Sequence, residues 1–195
     1  MARYEDFLVR DIHIQGVFDL LDTVWDDLRF PAQGINPAGS AAPPTVATTG
    51  FPGTLLFSGS ADNHIAGVAQ MPHAWKPESA VRPHVHWAKT TSASGVVVWQ
   101  FRYSAADIGG TFGAYSDWIT GTSVVEDSNT ANKHALITFG DIDMIGVGES
   151  GIITWELRRY ASDSSDTYNS VDARLFELDF HYQIDKLGTP NEIPD

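Results

Sequence analysis

From residue 176 to 184 the chain alternates without a break. Phe176, Leu178, Phe180, Tyr182 and Ile184 take one side, and Glu177, Asp179, His181 and Gln183 the other. A strand repeats every two residues and a helix every 3.6, so this segment can bury its apolar side only as a β-strand. The same period recurs. Residues 95–103 set Val97, Trp99, Phe101 and Tyr103 against Val96, Val98, Gln100 and Arg102. Residues 150–160 set Ile153, Trp155 and Leu157 against Thr154, Glu156 and Arg158. Within residues 81–91, Val85 and Trp87 oppose His84 and His86. Shorter apolar runs cover 53–58, 63–71, 115–125 and 133–139. Glycine, Asn, Asp and Ser punctuate the intervals. Eight short strands with turn signals between them predict an all-β fold, a jelly-roll-like two-sheet sandwich. No internal repeat is visible, which argues against propellers and solenoids.

The N-terminal part reads differently. Val17, Leu20, Leu21, Val24, Trp25 and Leu28 fall at helical spacing, with Asp19, Asp22, Asp26 and Asp27 on the other face. This predicts one short amphipathic helix. Residues 31–53 are rich in Pro, Gly, Ala, Ser and Thr. Such a segment cannot form a helix and has little to bury, so it is expected to be an extended arm, lying on the surface or on a neighbouring subunit. The expected division is therefore an N-terminal segment with its arm, residues 1–53, and a β-sandwich domain, residues 54–195.

Composition narrows the function classes. The chain of 195 residues carries 25 acidic against 12 basic side chains, a formal net charge of −13. There is no basic stripe of the kind that phosphate neutralisation requires, so neither nucleic acid nor an anionic membrane is an expected partner. The absence of cysteine excludes disulfides, thiolate metal sites and Cys-based catalysis. The start, Met1-Ala-Arg-Tyr-Glu-Asp-Phe7, lacks the pattern of a signal peptide, and no apolar stretch has transmembrane length, so synthesis without export is expected.

The most enzyme-like feature is Pro83-His84-Val85-His86-Trp87. Two histidines at i and i+2 on a strand share a face and can share a metal ion, with His73, His134 or His181 as a third ligand. In this respect the motif resembles the cupins. A cupin, however, places a Glu shortly after the second His, and here Ala88, Lys89, Thr90 and Thr91 follow. Paired surface or interface histidines are the reading adopted, with no metal site assigned.

The run Gly146-Val-Gly148-Glu-Ser-Gly151 fits a dinucleotide loop in letters only. A strand-like Ile152-Ile-Thr-Trp follows it, whereas pyrophosphate needs a helix N-terminus. It is read as a glycine-rich turn. Asp141, Asp143, Asp163 and Asp166 lack EF-hand spacing and are read as solvated loops. Ser150 lacks a hydrolase elbow, since Ile152 stands where the last glycine belongs. Trp75, Trp87, Trp99, Trp118 and Trp155 can be imagined as a sugar-stacking platform, but strand spacing assigns most of them to the core or a subunit interface. No catalytic residue and no cofactor are assigned.

Four segments resemble a family of tailed-bacteriophage virion proteins: Trp25-Asp-Asp-Leu-Arg-Phe-Pro31, Ala69-Gln-Met-Pro-His-Ala-Trp-Lys-Pro77, Pro83-His-Val-His-Trp87 and Phe180-His-Tyr-Gln-Ile-Asp-Lys-Leu-Gly188. The sequence departs from that pattern at Lys76-Pro77, where an acidic residue and Gly are expected. The resemblance implies a structural part of the particle, made in the host cytoplasm and located on the capsid surface. Its implied form is a cement or decoration protein that bridges capsid subunits. The implied partners are the major capsid protein and its own copies, as a homo-oligomer, expected to be a trimer. The alternative is a tail or head-fibre module that binds a receptor or carbohydrate, and a third reading is a cupin-like metal-dependent enzyme.

Overall fold

A computed structural model of the chain describes residues 24–35, 37, 42–125 and 131–190. These residues contain ten strands: β1 (Val24–Pro31), β2 (Thr45–Val46), β3 (Leu55–Phe57), β4 (Asn63–Gln70), β5 (Val81–Lys89), β6 (Gly95–Ala106), β7 (Ile119–Val125), β8 (His134–Thr138), β9 (Ile152–Arg159) and β10 (Ala173–Ile184). One sheet has six strands in the order β2-β3-β10-β5-β8, with β1 also on β10. The other has four, β4-β9-β6-β7. Every pairing is antiparallel. The result is a jelly-roll-like two-sheet sandwich, as the alternating pattern requires.

The inner faces meet through the residues that alternation selected. Val97, Trp99 and Phe101 of β6, Ile153, Trp155 and Leu157 of β9, and Leu178 and Phe180 of β10 are all fully buried. Large rings interlock between the sheets. Trp99 meets Phe57 edge-on at 4.9 Å and Trp87 at 6.1 Å, and Phe30 meets Trp155 at 5.7 Å and Phe180 at 5.8 Å. Edge-to-face contacts add to the hydrophobic term because ring edges and faces carry opposite partial charge. Packing around Trp155 depends on Gly67 of β4, its cross-strand partner. A β-carbon at Gly67 would stand 2.3 Å from the indole ring.

Four sequence expectations change. The helix is not found where it can be described: residues 24–28 lie in β1, and residues 17–23 fall outside the described residues. β1 pairs in register with β10 from Val24↔Ile184 to Pro31↔Glu177. Leu28 and Phe30 turn inward and Asp27 and Arg29 outward, so the period realised is two, not 3.6. Pro31 is tolerated because it ends an edge strand, where a missing N–H breaks no interior ladder. The sandwich therefore includes Val24–Pro31, ahead of the boundary expected at residue 54. The arm expectation also changes. Ala32, Ile35, Pro44 and Ala47 are buried, and β2 pairs with β3, so the described parts of residues 31–53 cover this chain's own sheet. Finally, Phe176 leaves the inward face assigned to it. A register shift between Leu175 and Glu177 makes it a bulge residue, half-buried and edge-on to Phe51 at 5.6 Å.

One buried ion pair closes the far end of the sandwich. Arg159 ends β9 at an inward position and is fully buried, with Asp166 against it. Its Nε and Nη2 donate to the two carboxylate oxygens at 2.9 and 2.8 Å. The remaining N–H groups reach the carbonyls of Phe57 at 3.2 Å, Val171 at 2.6 Å and Tyr168 at 2.7 Å. Asp166 also accepts from the backbone N–H of Val98 at 3.1 Å. It is thus neither a solvated acid nor a calcium ligand.

Asp166→Ala leaves the Arg159 charge buried without its counter-ion, a change that costs about 3–5 kcal/mol. Urea unfolding followed by tryptophan fluorescence should show that loss; a change under about 1 kcal/mol would contradict the account.

Candidate functional site

Adjacent strands of an antiparallel sheet place directly opposed side chains on the same face, close enough to interact. On β10 the outward set is Glu177, Asp179 and His181. On β5 it includes Arg82, His84 and His86. The register sets Glu177 opposite His86, Asp179 opposite His84 and His181 opposite Arg82. On the other edge of β10, Asp27 stands opposite His181. β8 adds His134, opposite Ala88 and so two residues along from His86 on the same face. Four histidines and three carboxylates from four strands thus share one patch on the outer face of the six-stranded sheet. A concave groove of about 490 Å³ lies over it, lined by Asp27, Arg29, His86, His134, Phe176, Glu177, Asp179 and His181.

The bulge shapes this groove. A bulged strand bends and redirects its side chain, and here the redirected Phe176 becomes a wall of the groove. Arg29 spans β1 and β10, donating Nη2 to Glu177 Oε2 at 2.7 Å. At the centre lies Asp179, only 3% exposed. Its Oδ2 faces His86 Nε2 at 3.1 Å, and His86 Nδ1 is 2.8 Å from His134 Nε2. Its Oδ1 faces His84 Nδ1 at 3.6 Å. His181 Nε2 is 2.7 Å from Asp27 Oδ1 and 3.7 Å from Asp179 Oδ2. The rings of His84 and His181 meet edge-on at 4.0 Å.

The two histidines of the His-x-His motif therefore have different surroundings. Burial holds the His84 imidazole below the ordinary histidine range, and the neighbouring His181 pushes it the same way. The hydrogen bond to Asp179 lifts His86 above that range. The lowered His84 favours the form that keeps a lone pair for an electrophile, while His86 Nε2–H donates to the Asp179 carboxylate. Of the three candidate third histidines, His134 and His181 join the patch. His73 does not.

His73 belongs to a second constellation. Its Nε2 is 2.7 Å from Ser150 Oγ, and its Nδ1 is 2.8 Å from Thr189 Oγ1. Ser150 has a left-handed backbone, φ 65°. A catalytic serine of the triad type needs a carboxylate behind the histidine and free N–H donors for an oxyanion. Here a hydroxyl stands behind His73, and the Ser150 N–H is already donated to the Met71 carbonyl at 3.0 Å. The contacts tie the turn before β9 to residues 71–73 and to the segment after β10. The glycine-rich run 146–151 forms that turn, leading into a strand as expected.

The five tryptophans considered as a sugar platform separate cleanly. Trp75, Trp87, Trp99 and Trp155 are core residues. Trp118 is half-buried, with the guanidinium groups of Arg102 and Arg158 at 4.4 and 4.3 Å from its ring centre. Tyr115 and Tyr160 extend this alternating stack at 5.0 and 4.2 Å from the two arginines. The remaining acids of the calcium reading are likewise engaged. Asp141 pairs with Arg82, Asp143 caps the N–H of Ile145, and Asp163 caps that of Ser165.

No protein-family model matches the chain, and no curated protein matches it. Among solved structures, it is similar to a CBM36-1 domain of a multidomain xylanase from the hindgut metagenome of Trinervitermes trinervoides, at TM-score 0.44 and 10% identity over 80% of this chain and 96% of that one. It is similar to the CBM22-1 xylan-binding domain of Paenibacillus barcinonensis Xyn10C, at TM-score 0.33 and 12% identity over 84% of this chain and 97% of that one. It is also similar to a chain of infectious bursal disease virus, Gt strain, at TM-score 0.37 and 10% identity over 84% of this chain and 33% of that one. None of these likenesses assigns a function.

The electrostatics of the patch can be read by histidine NMR. His84 is expected to titrate below pH 6.5 and His86 above it. The signs for stability follow. The His86 contribution is full below the unfolded pKa and is lost as pH rises through the raised folded value. The His84 penalty is absent above pH 6.5 and grows as pH falls, because only the unfolded chain then takes up that proton. Asp179→Asn removes a negative charge that favours protonation of both rings, so both midpoints should drop. If neither moves, Asp179 does not organise the patch.

Proposed function

We propose that this chain is a structural protein of a bacteriophage particle, a cement or decoration subunit that bridges neighbouring shell subunits. The observation that carries the reading is the meeting of the four phage-like segments around one strand. Trp25–Pro31 lies in β1, which pairs with the C-terminal half of β10. Pro83–Trp87 lies in β5, on its other edge. Trp75 bridges to Ile184, and the Lys76 N–H donates to the Gln183 carbonyl at 2.8 Å. The fourth segment begins in β10 itself. The segments that mark the resemblance form one continuous block of the sandwich, which supports the reading.

Surface features favour a protein partner. Ile108, Ile145 and Leu187 stand 58%, 82% and 83% exposed. They sit on neighbouring loops, linked by the hydrogen bond from the Gly148 N–H to Asp107 Oδ1 at 3.2 Å and by the Lys186–Glu149 ion pair. Exposed apolar groups collected at one end are a common basis for subunit contact. Repetition of such contacts over a shell turns modest affinity into avidity. A closed homo-oligomer, a trimer on this reading, is the natural unit. Binding and bridging, rather than catalysis, is the role proposed. The receptor- or carbohydrate-binding alternative rests on Trp118 alone among the five tryptophans, since the other four are core.

Purified virions should contain the protein in stoichiometric amounts, co-sedimenting with capsids that lack tails. Its absence from such capsids would overturn the cement role. Recovery with isolated tails or fibres, together with glycan-array binding, would transfer the assignment to the receptor module.

A further inference from the structure

We propose that His84, Asp179 and His181 form a binding site for one divalent transition-metal ion of the zinc class, set into the outer face of the six-stranded sheet. The proposal stands on this chain's own geometry and does not depend on the virion reading.

The ligand atoms of the three residues all lie within 4.8 Å of one another. Zinc binds imidazole nitrogen and carboxylate oxygen at about 2.0–2.2 Å, so tetrahedral ligands sit roughly 3.3–3.5 Å apart. The 3.6 Å between His84 Nδ1 and Asp179 Oδ1 is close to that spacing and too long for a hydrogen bond. Both atoms are buried, and neither has a hydrogen-bond partner. Buried polar atoms are nearly always satisfied. Two unsatisfied lone-pair atoms, an imidazole nitrogen and a carboxylate oxygen, facing each other across such a gap, fit a cation between them.

The surroundings fit the same ion. His86 Nε2 holds the other oxygen of Asp179 at 3.1 Å, and His134 in turn contacts His86. Metal-ligating carboxylates are commonly fixed by such a second layer of hydrogen bonds. Asp27 Oδ1, 2.7 Å from His181 Nε2, is at hydrogen-bond distance and holds that ring in the same second layer. Asp27 and Asp179 bring two negative charges, while Arg29 is already paired with Glu177. A divalent ion balances that charge. Two imidazoles with one carboxylate select zinc and its first-row neighbours over calcium and magnesium, which prefer oxygen shells. Ligands from β5 and β10 would make the ion a pin across two strands, with Asp27 of β1 bracing His181.

The test uses full-length protein stripped with EDTA and desalted. Calorimetric titration with ZnCl₂ should give one equivalent per chain, and the melting temperature should rise on saturation, as for any ligand that binds only the folded state. His181→Gln and His84→Gln should each weaken binding at least tenfold, while His73→Gln binds zinc as the parent does. His181 is partly exposed, so its variant decides the matter if His84→Gln fails to fold by circular dichroism. No zinc binding at micromolar concentration would overturn the proposal, as would binding that His181→Gln leaves unchanged. CaCl₂ should give no stabilisation; a shift equal to that of zinc would overturn the assignment to a transition metal.

Discussion

The Arg159–Asp166 pair sets the terms for the rest of the sandwich. A buried guanidinium is costly unless every N–H is matched, because the interior cannot solvate it as water does. Here the carboxylate takes two contacts and three carbonyls take the others. Those carbonyls come from β3 and from the loop between β9 and β10. The arginine therefore fixes where β9 ends, how the following loop returns, and where β10 begins. It joins the two sheets by a polar knot at one end, while the aromatic core joins them in the middle. Since β10 starts from that knot, its register against β5 and β1 inherits the position.

That register creates the histidine patch. A slip of one residue along β10 would turn Asp179 and His181 inward and Leu178 and Phe180 outward. Burial of those apolar rings therefore holds the polar cluster in place indirectly. The core selects the register, and the register brings His84, Asp179 and His181 together. The bulge at Phe176 lets one strand serve two neighbours on the same edge, β3 before it and β1 after it. It also walls the groove above the patch. Fold and site are thus consequences of one choice of pairing.

Much of this was legible in the alternation. The eight expected strands are present, and most of the residues that alternation places inward are the observed core. Even Arg159 occupies an inward slot by parity with Ile153, Trp155 and Leu157, a signal that its burial bears out. The apolar residues of β1 satisfy a helical period as well as a strand period, and only its partner, β10, decides between them. The side taken by Phe176 is not legible in the alternation, because a bulge adds a residue without any change in local pattern. The outward orientation of His84 and His86 was readable, but their true associates were not. His181 and Asp179 are nearly a hundred residues away along the chain, and only strand order makes them neighbours. The usable clue was that both strands carry imidazole or carboxylate at consecutive outward positions.

The place of β10 in the sheet has a consequence for biosynthesis. It is the last of the ten described strands to leave the ribosome, yet β1, β3 and β5 all hydrogen-bond to it. The four-stranded sheet can close once β9 has emerged. The six-stranded sheet cannot, so its early strands must wait with their edges unpaired until the final strand threads between them. Long-range pairing of this kind makes folding slow relative to local structure and prolongs the exposure of strand edges. The keystone is laid last, and the nascent chain stays vulnerable to misassociation until then.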